Sequence, residues 1–519
     1  MSSVASERAR VLAYGLILIV GGWARFHHID TAGGWSDEAF SILLSVKSPT
    51  EIMFHTTRDV HPPLYYWLLH GWMQVMGDSV LAARALSALF GMVTVVLGMW
   101  LMSRISRWPT VIVGGFLLAL SPFAVRYSQE VRMYALHGAL MLGATIALVY
   151  WLENPGNRRP LFLYCLLMVA GFYTHYFTGV CVISHWLYLL WLSKARSGGQ
   201  NVLRLPAWWG ANVAIVVMFI PWVPHLWHQI KYSGFNWIQQ PSIKDVVSVF
   251  WQFLNFSDGL AMPVWAFYGV PVVLLMVSVM IVVRDDSARR WHALLVIYAW
   301  APPVVVVLVS CFYPLFVPHY FLFCSLAFPM IVAVAASQLW ARSKIVGFGL
   351  LTGVTILQAG GLGIIYAKQP QDVFEFSQFD RVAGYISVSL RAGDSVLVLD
   401  SFMYLPMLYY LKNETVPLYY TPLNSDGTSA RPDGYQTWTL VNDKAEQVYL
   451  DGVASLAPVS GRVWLVGDVE ADTLHFKLPD SWRLLQGFSA GIARVQLFAI
   501  CPRNDSVDEQ ALKNRGCEE

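Results

Sequence analysis

The sequence predicts an α-helical polytopic membrane protein with a small α/β domain after its last crossing. Three observations carry this reading. Of the 519 residues, 56% are hydrophobic and only 13% charged, against about 25% charged in an ordinary soluble protein. Eleven segments are apolar over lengths near the ~20 residues that a membrane-crossing helix needs. Beyond residue 370 the chain turns polar and takes on the punctuation of strands and turns. With a mean hydropathy of +0.50, such a chain needs lipid as part of its solvent. A formal charge of +2 gives no reason to expect a nucleic-acid partner.

The predicted spans lie near 11–27, 80–103, 108–125, 131–151, 160–175, 177–193, 207–224, 263–283, 291–310, 319–340 and 345–366. The stretch 160–193 is too long for one crossing and has a polar centre, Thr174-His175-Tyr176, so it divides into two helices. The first span lacks a small-residue cleavage site and runs into Trp23-Ala24-Arg25-Phe26, unlike a cleaved signal peptide. With Arg8 and Arg10 in the cytoplasm, the inner loops hold twelve Lys and Arg residues and the outer loops six. That asymmetry sets the orientation in a plasma (inner) membrane and puts the C-terminal region outside.

Residues 1–370 thus read as the membrane domain, with an outer loop over 27–79, and 371–519 as an extracytoplasmic α/β domain. In the latter, 374–391 and 402–411 suggest helices. Ser395–Asp400 and Val463–Asp468 read as buried strands between turns. No glycine-rich phosphate loop follows either strand. The six cysteines form no C-x-x-C pair, which leaves no zinc or redox motif. Cys501 and Cys517 can pair in an oxidising compartment.

Residue types capable of chemistry concentrate on the predicted outer side. In the first loop, Asp37 and Glu38 stand where the first span gives way to a predicted interfacial helix over 38–55. A carboxylate held there is partly desolvated and suited to act as a general base; the alternative is that Asp37 merely caps that helix. Arg58-Asp59-Val60-His61-Pro62-Pro63-Leu64-Tyr65-Tyr66 follows, leading into an amphipathic piece over 62–77. A second loop, from Arg126 to Tyr134, brings two arginines and Glu130 to the membrane surface. A guanidinium fork suits a phosphate; the alternative is that Arg126 and Arg132 snorkel or pair with Glu130. His175-Tyr176 and Tyr313–Tyr320 complete the set. Together these imply an outward-facing, water-accessible cavity.

These motifs bring a family into view. In order, they are the Asp37-Glu38 pair, Asp59-x-His61-Pro62-Pro63-Leu64-Tyr65-Tyr66, Ser128-Gln129-Glu130-Val131-Arg132-Met133-Tyr134 and Thr174-His175-Tyr176-Phe177. Through them the chain resembles the membrane glycosyltransferases of the GT-C fold, specifically the group of protein O-mannosyltransferases and lipid A aminoarabinose transferases. The resemblance covers roughly 11–370. Met133 stands where many bacterial relatives carry Pro, and Pro318-His319-Tyr320 where the family has Pro-Arg-Tyr.

The resemblance implies a polyprenyl-phosphate sugar as donor, and inversion as an acceptor hydroxyl on a glycan, lipid or protein displaces the phosphate. It assigns Asp37 as the base, with Glu38 beside it. Arg132, helped by Arg126, Tyr134, His319 and Tyr320, would hold the donor phosphate. Asp59, His61, Glu130, His175 and Tyr176 are candidates for the remaining substrate contacts. No cofactor is required, since the lipid carries the donor. Glu38, His55, Asp59, His61 and His175 nevertheless leave a divalent metal open. A lipid-linked sugar flippase or transporter is the alternative function. Transporters favour midplane sites in repeated halves, and neither repeats nor mid-span charges are evident.

Overall fold

The computed structural model describes residues 2–194, 201–232, 238–367, 378–424, 426–441, 445–456, 461–468, 476 and 478–501. The chain packs as two compact units. One comprises Met1–Ile29, Val60–Gly77 and Leu81–Ala367; the other comprises Asp30–Asp59, Asp78–Val80 and Lys368–Glu519.

The first unit is helical, and each of the eleven predicted spans holds a helix. Among the described residues, seven helices are long and apolar enough to cross a membrane: Glu7–Phe26, Val80–Ile105, Tyr134–Glu153, Pro206–Tyr232, Val264–Val283, Trp291–Ser310 and Lys344–Tyr366. An eighth candidate is a pair, Pro318–Ser325 and Ala327–Trp340, bent by 43°. Trp108–Ala119 and Arg159–Phe172 are apolar but shorter. The piece at 62–77 forms a helix over Leu64–Met76. Buried Tyr65, Tyr66, Leu69 and Met73 recur on its inner face at helical spacing.

One helix in this unit is absent from the hydropathy pattern. Ile243–Asn255 is amphipathic and starts with a capping box between Ser242 and Asp245. Its apolar face backs the candidate site, with Phe253 packed edge to face on Phe123. Its far end is crossed closely by the Lys344–Tyr366 helix at Gly361. A Cβ there would lie 2.5–2.7 Å from the backbone of Asn255. Gly361→Ala is therefore expected to destabilise the fold by about 1–3 kcal/mol, as overpacking does. Gly360, one residue earlier, has nothing within 4 Å, and Gly360→Ala serves as the control. Thermal unfolding in detergent separates them; equal midpoints would refute the close approach.

The second unit is built on a six-stranded sheet of order β3-β2-β1-β4-β6-β5. The strands are β1 Ser395–Val398, β2 Leu418–Tyr420, β3 Tyr449–Leu450, β4 Arg462–Asp468, β5 Trp482–Ala490 and β6 Ala493–Ile500. Strands β3, β2, β1 and β4 run parallel, with Val396 opposite Trp464; β6 is antiparallel to β4 and β5. The β1 and β4 strands match the sequence expectation, whereas the β5–β6 hairpin, turning at Gly491 with φ +60°, does not figure in it. Leu397, Val463, Leu465, Trp482, Phe498 and Ile500 form an apolar cluster in this unit. Helices occupy Phe379–Ser389 and Ser401–Tyr410, the latter capped by Asp400. Residues 374–377 and Cys517 lie outside the described residues, and with them part of the first predicted helix and the cysteine pair.

Residues 30–59 belong to this second unit. The Ser36–Ser45 helix packs on Ser401–Tyr410, and the Tyr410 hydroxyl accepts a hydrogen bond from Gly34 N at 2.7 Å. His55 Nδ1 and Thr439 Oγ1 share another at 3.0 Å. The single interfacial helix expected over 38–55 is corrected to two, Ser36–Ser45 and Pro49–Thr56. Ser48 and Glu51 form a capping box with Pro49 at the first helical position. A new helix is so strongly initiated there that the first one ends.

Candidate active site

In the helical unit the stretch from Ser121 to Met133 is buried along its whole length, its charged and polar residues included. Arg126, Ser128, Gln129, Glu130 and Arg132 are each no more than 6% exposed. Polar groups are stable inside only when hydrogen-bonded or paired. Gln129 meets that demand by donating its side-chain amide to the carbonyls of Arg25 at 3.1 Å and His27 at 2.9 Å. These carbonyls lie where the first helix ends and lack intrahelical partners. Arg126 Nη1 lies 3.9 Å from Glu130 Oε2. The Val80–Ile105 helix passes so close that a Cβ on Gly91 would be 2.1 Å from the Ser128 hydroxyl; only glycine fits.

Arg132 is placed through its backbone. Its carbonyl accepts from the Ser87 hydroxyl at 3.3 Å, and Ser87 in turn bonds the Tyr65 hydroxyl at 3.0 Å. The H-P-P-L-Y-Y stretch is thereby tied to the arginine loop. The same stretch is tied to the Thr174-His175-Tyr176 turn, where Leu64 N donates to Tyr173 O at 2.9 Å.

Around these ties lies a cluster of rings, buried except for the partly exposed His319. His175 is 5.5 Å from His61, 4.7 Å from Tyr320 and 6.3 Å from Tyr134. The His319 ring lies tilted against Tyr134 at 4.8 Å and Tyr127 at 5.6 Å between centroids. The structure thus gathers His61, Tyr134, His175, His319 and Tyr320 in one place, with Arg132 near enough for its charge to act on His175 and His319. Tyr176 has partners of its own: its hydroxyl donates to Gln229 and accepts from Trp222 Nε1 at 2.8 Å.

The second unit holds the acidic candidates. Asp37 and Glu38 lie in the first turn of Ser36–Ser45, where a carboxylate complements the helix dipole. Glu38 is fully buried and Asp37 half-buried; Asp59 is buried too. The capping alternative for Asp37 is corrected: Trp35 occupies the N-cap position without a side-chain cap bond, and Asp37 is already helical. Among the described residues no three His, Cys, Asp or Glu side chains gather as metal ligands would.

Three residues have roles that the sequence reading does not assign. His137 faces the cluster from the first turn of Tyr134–Glu153, 5.2 Å from His175, with Nε2 bonded to Thr178. Its i+3 spacing from Tyr134 was the available signal. Gln129 clamps the loop as described. Arg25 is fully buried and donates to Gly21 O and Ala119 O at 3.2 and 2.9 Å, with nothing local in sequence to announce it.

The chain matches the dolichyl-phosphate-mannose-protein mannosyltransferase family over residues 60–226. That span includes the H-P-P-L-Y-Y, arginine and Thr-His-Tyr motifs but begins after the acidic pair. Among solved structures, ArnT from Cupriavidus metallidurans in the apo state superposes with a TM-score of 0.61 at 13% identity, covering 95% of this chain and 98% of that one. The chain has the GT-C fold. ArnT from the same organism bound to undecaprenyl phosphate gives a TM-score of 0.59 at 12% identity, with the same coverage. The archaeal oligosaccharyltransferase AglB from Archaeoglobus fulgidus, in complex with an inhibitory peptide and a dolichol-phosphate, gives 0.50 at 8% identity, over 90% of this chain and 70% of that one. No curated protein matches the chain.

Proposed function

We propose that this protein is an inverting glycosyltransferase. It takes a sugar from a polyprenyl-phosphate donor in the outer leaflet and places it on an acceptor hydroxyl. The observation that carries the reading is the buried cluster of Arg126, Arg132, His61 and His175, with partly buried His319 beside it, within a bundle of apolar helices. Cations and imidazoles inside an apolar bundle call for an anion, and a lipid phosphate can reach such a site from the membrane. The structures similar in fold include one bound to undecaprenyl phosphate.

The chemistry follows from three requirements. The acceptor oxygen forms a bond to the anomeric carbon as the carbon–oxygen bond to phosphate breaks, and the bonding pair leaves on the phosphate. Asp37 takes the acceptor proton. Arg132, with Arg126, stabilises the charge gathering on the phosphate. His61, Tyr134, His175, His319 and Tyr320 shape the donor pocket, and alignment of both substrates lowers the entropic part of the barrier. Glu38 supports Asp37 from the same helix turn, Asp59 and Glu130 are assigned to substrate contacts, and Tyr176 fixes the turn that carries His175. The chain is oriented with its N-terminus cytoplasmic, so that the reaction is extracytoplasmic.

The test is a deletion strain examined by mass spectrometry of its envelope glycans and lipid-linked sugars. One sugar should vanish from the envelope while its polyprenyl-phosphate form accumulates in the outer leaflet, accessible to a membrane-impermeant oxidant. Accumulation in the inner leaflet would instead identify a flippase. Unchanged glycans together with unchanged lipid-linked sugars would sink the reading.

A further inference from the structure

His175 stands out among the buried histidines because its backbone surroundings fix its protons. The amide of Phe177, two residues on, donates to Nδ1 at 3.2 Å. A nitrogen that accepts a hydrogen bond carries no proton, so in this ring the proton resides on Nε2. A charged ring would set two N–H groups against each other. The tautomer is therefore locked as a neutral Nε2–H donor. The side chain is only 3% exposed, and Nε2 has no hydrogen-bond partner among the described residues. Two other buried imidazoles of the helical unit differ: His137 bonds Thr178 at 3.1 Å, and His185 bonds Thr145 at 3.0 Å. A buried, unsatisfied donor is costly, and native structures retain one where something else is meant to complete it.

Its neighbours narrow what that acceptor is. His61, His137 and Tyr320 surround the ring within 6 Å between centroids, and Arg132 acts on it electrostatically. The lone carboxylate of the loop, Glu130, faces Arg126. An acceptor entering such surroundings is favoured if it carries negative charge.

We propose that the Nε2–H of His175 donates a hydrogen bond to a phosphate oxygen of the polyprenyl-phosphate donor, alongside Arg132. This rests on the reading of the protein as a polyprenyl-phosphate-dependent transferase and adds a specific contact to it. Because the ring is neutral throughout, it lends no proton to the leaving group. Its role is directional: it fixes which oxygen faces the arginine.

Two substitutions test this in the full-length protein in nanodiscs. Asn places an amide oxygen near the position of Nδ1, keeps the bond from Phe177 N and has no atom at Nε2. Gln carries an N–H donor out to the Nε2 position. Binding of undecaprenyl phosphate, undecaprenol and inorganic phosphate is measured for each. His175→Asn should weaken undecaprenyl phosphate by about 10- to 100-fold, the scale for a lost hydrogen bond to a charged group. Undecaprenol, which lacks the phosphate, should be unaffected, and His175→Gln should lie within about 3-fold of wild type. A purely structural role would weaken both lipids alike and would overturn the proposal. Wild-type affinity in His175→Asn would also overturn it, leaving the transferase reading intact. If the wild-type protein itself failed to prefer undecaprenyl phosphate over undecaprenol, both would fall. Inhibition of lipid binding by inorganic phosphate in wild type but not in His175→Asn would place the contact on the phosphate rather than on the chain.

Discussion

Asp37→Asn is expected to lower the turnover of sugar transfer by about 10²–10⁴-fold, the contribution typical of a positioned general base. The argument starts with helix geometry. Asp37 and Glu38 are both in the first turn of Ser36–Ser45, yet their environments differ. Glu38 is fully buried and Asp37 is half-buried. A base must reach the acceptor proton and release it afterwards, which requires access. The half-exposed carboxylate fits that task and the enclosed one suits a supporting role. Asn keeps the size and the helix position while losing the basic oxygen, and Asp37 supplies no cap whose loss would confuse the result. The variant should fold, bind donor and fail at transfer. Glu38→Gln should instead disturb folding or donor affinity more than turnover. Steady-state release of polyprenyl phosphate, beside thermal unfolding, reads both. Undiminished turnover in Asp37→Asn would remove this residue as the base.

The legible and illegible parts of this molecule divide along a physical line. A run of about 20 apolar residues has few alternatives to a helix in lipid, where every backbone group must be satisfied within the segment. Hence each predicted span holds a helix. The second unit has no such constraint. Strand β4 was visible because Val463–Val466 is continuously apolar, whereas β5 is exposed at Arg483, Leu484 and Leu485 and reads as an irregular mixture. Strands β2 and β3 are three and two residues long, too short for any period to register. The break at Ser48-Pro49 was signalled by its own capping residues and overlooked in favour of the longer amphipathic pattern.

The candidate site shows the same division. His61, Tyr134, His175, His319 and Tyr320 were found through motifs, and the structure brings them together. Gln129 was part of a motif, but its clamp on the end of the first helix spans 104 residues of sequence. Arg25 is still less visible, since its contact with Ala119 spans 94. Long-range polar ties leave no local period. The attachment of residues 30–59 to the sheet-bearing unit is of that kind, resting on pairs such as His55 with Thr439.

Arg132→Gln is expected to reduce turnover by about 10²–10³-fold, the loss seen when one donor to a developing oxyanion is removed. The choice of Arg132 over Arg126 is electrostatic. Arg126 lies 3.9 Å from Glu130 and 5.8 Å from the ring centre of Tyr127. Part of its field is thus offset before any ligand arrives. Arg132 stands beside the rings of His175 and His319, where the donor phosphate is proposed to lie. Its backbone is held through Ser87 and Tyr65, so the guanidinium starts from a fixed point. Pre-positioned charge of this kind needs no reorganisation as the phosphate leaves. Lys in its place keeps the charge but loses the planar fork, and Arg132→Lys should recover only part of the rate. Arg126→Gln should cost turnover less than Arg132→Gln, because part of the Arg126 field is already offset by Glu130. If Arg132→Gln turned over within about 3-fold of wild type while Arg126→Gln did not, the phosphate would belong to Arg126 and the assignment would be reversed.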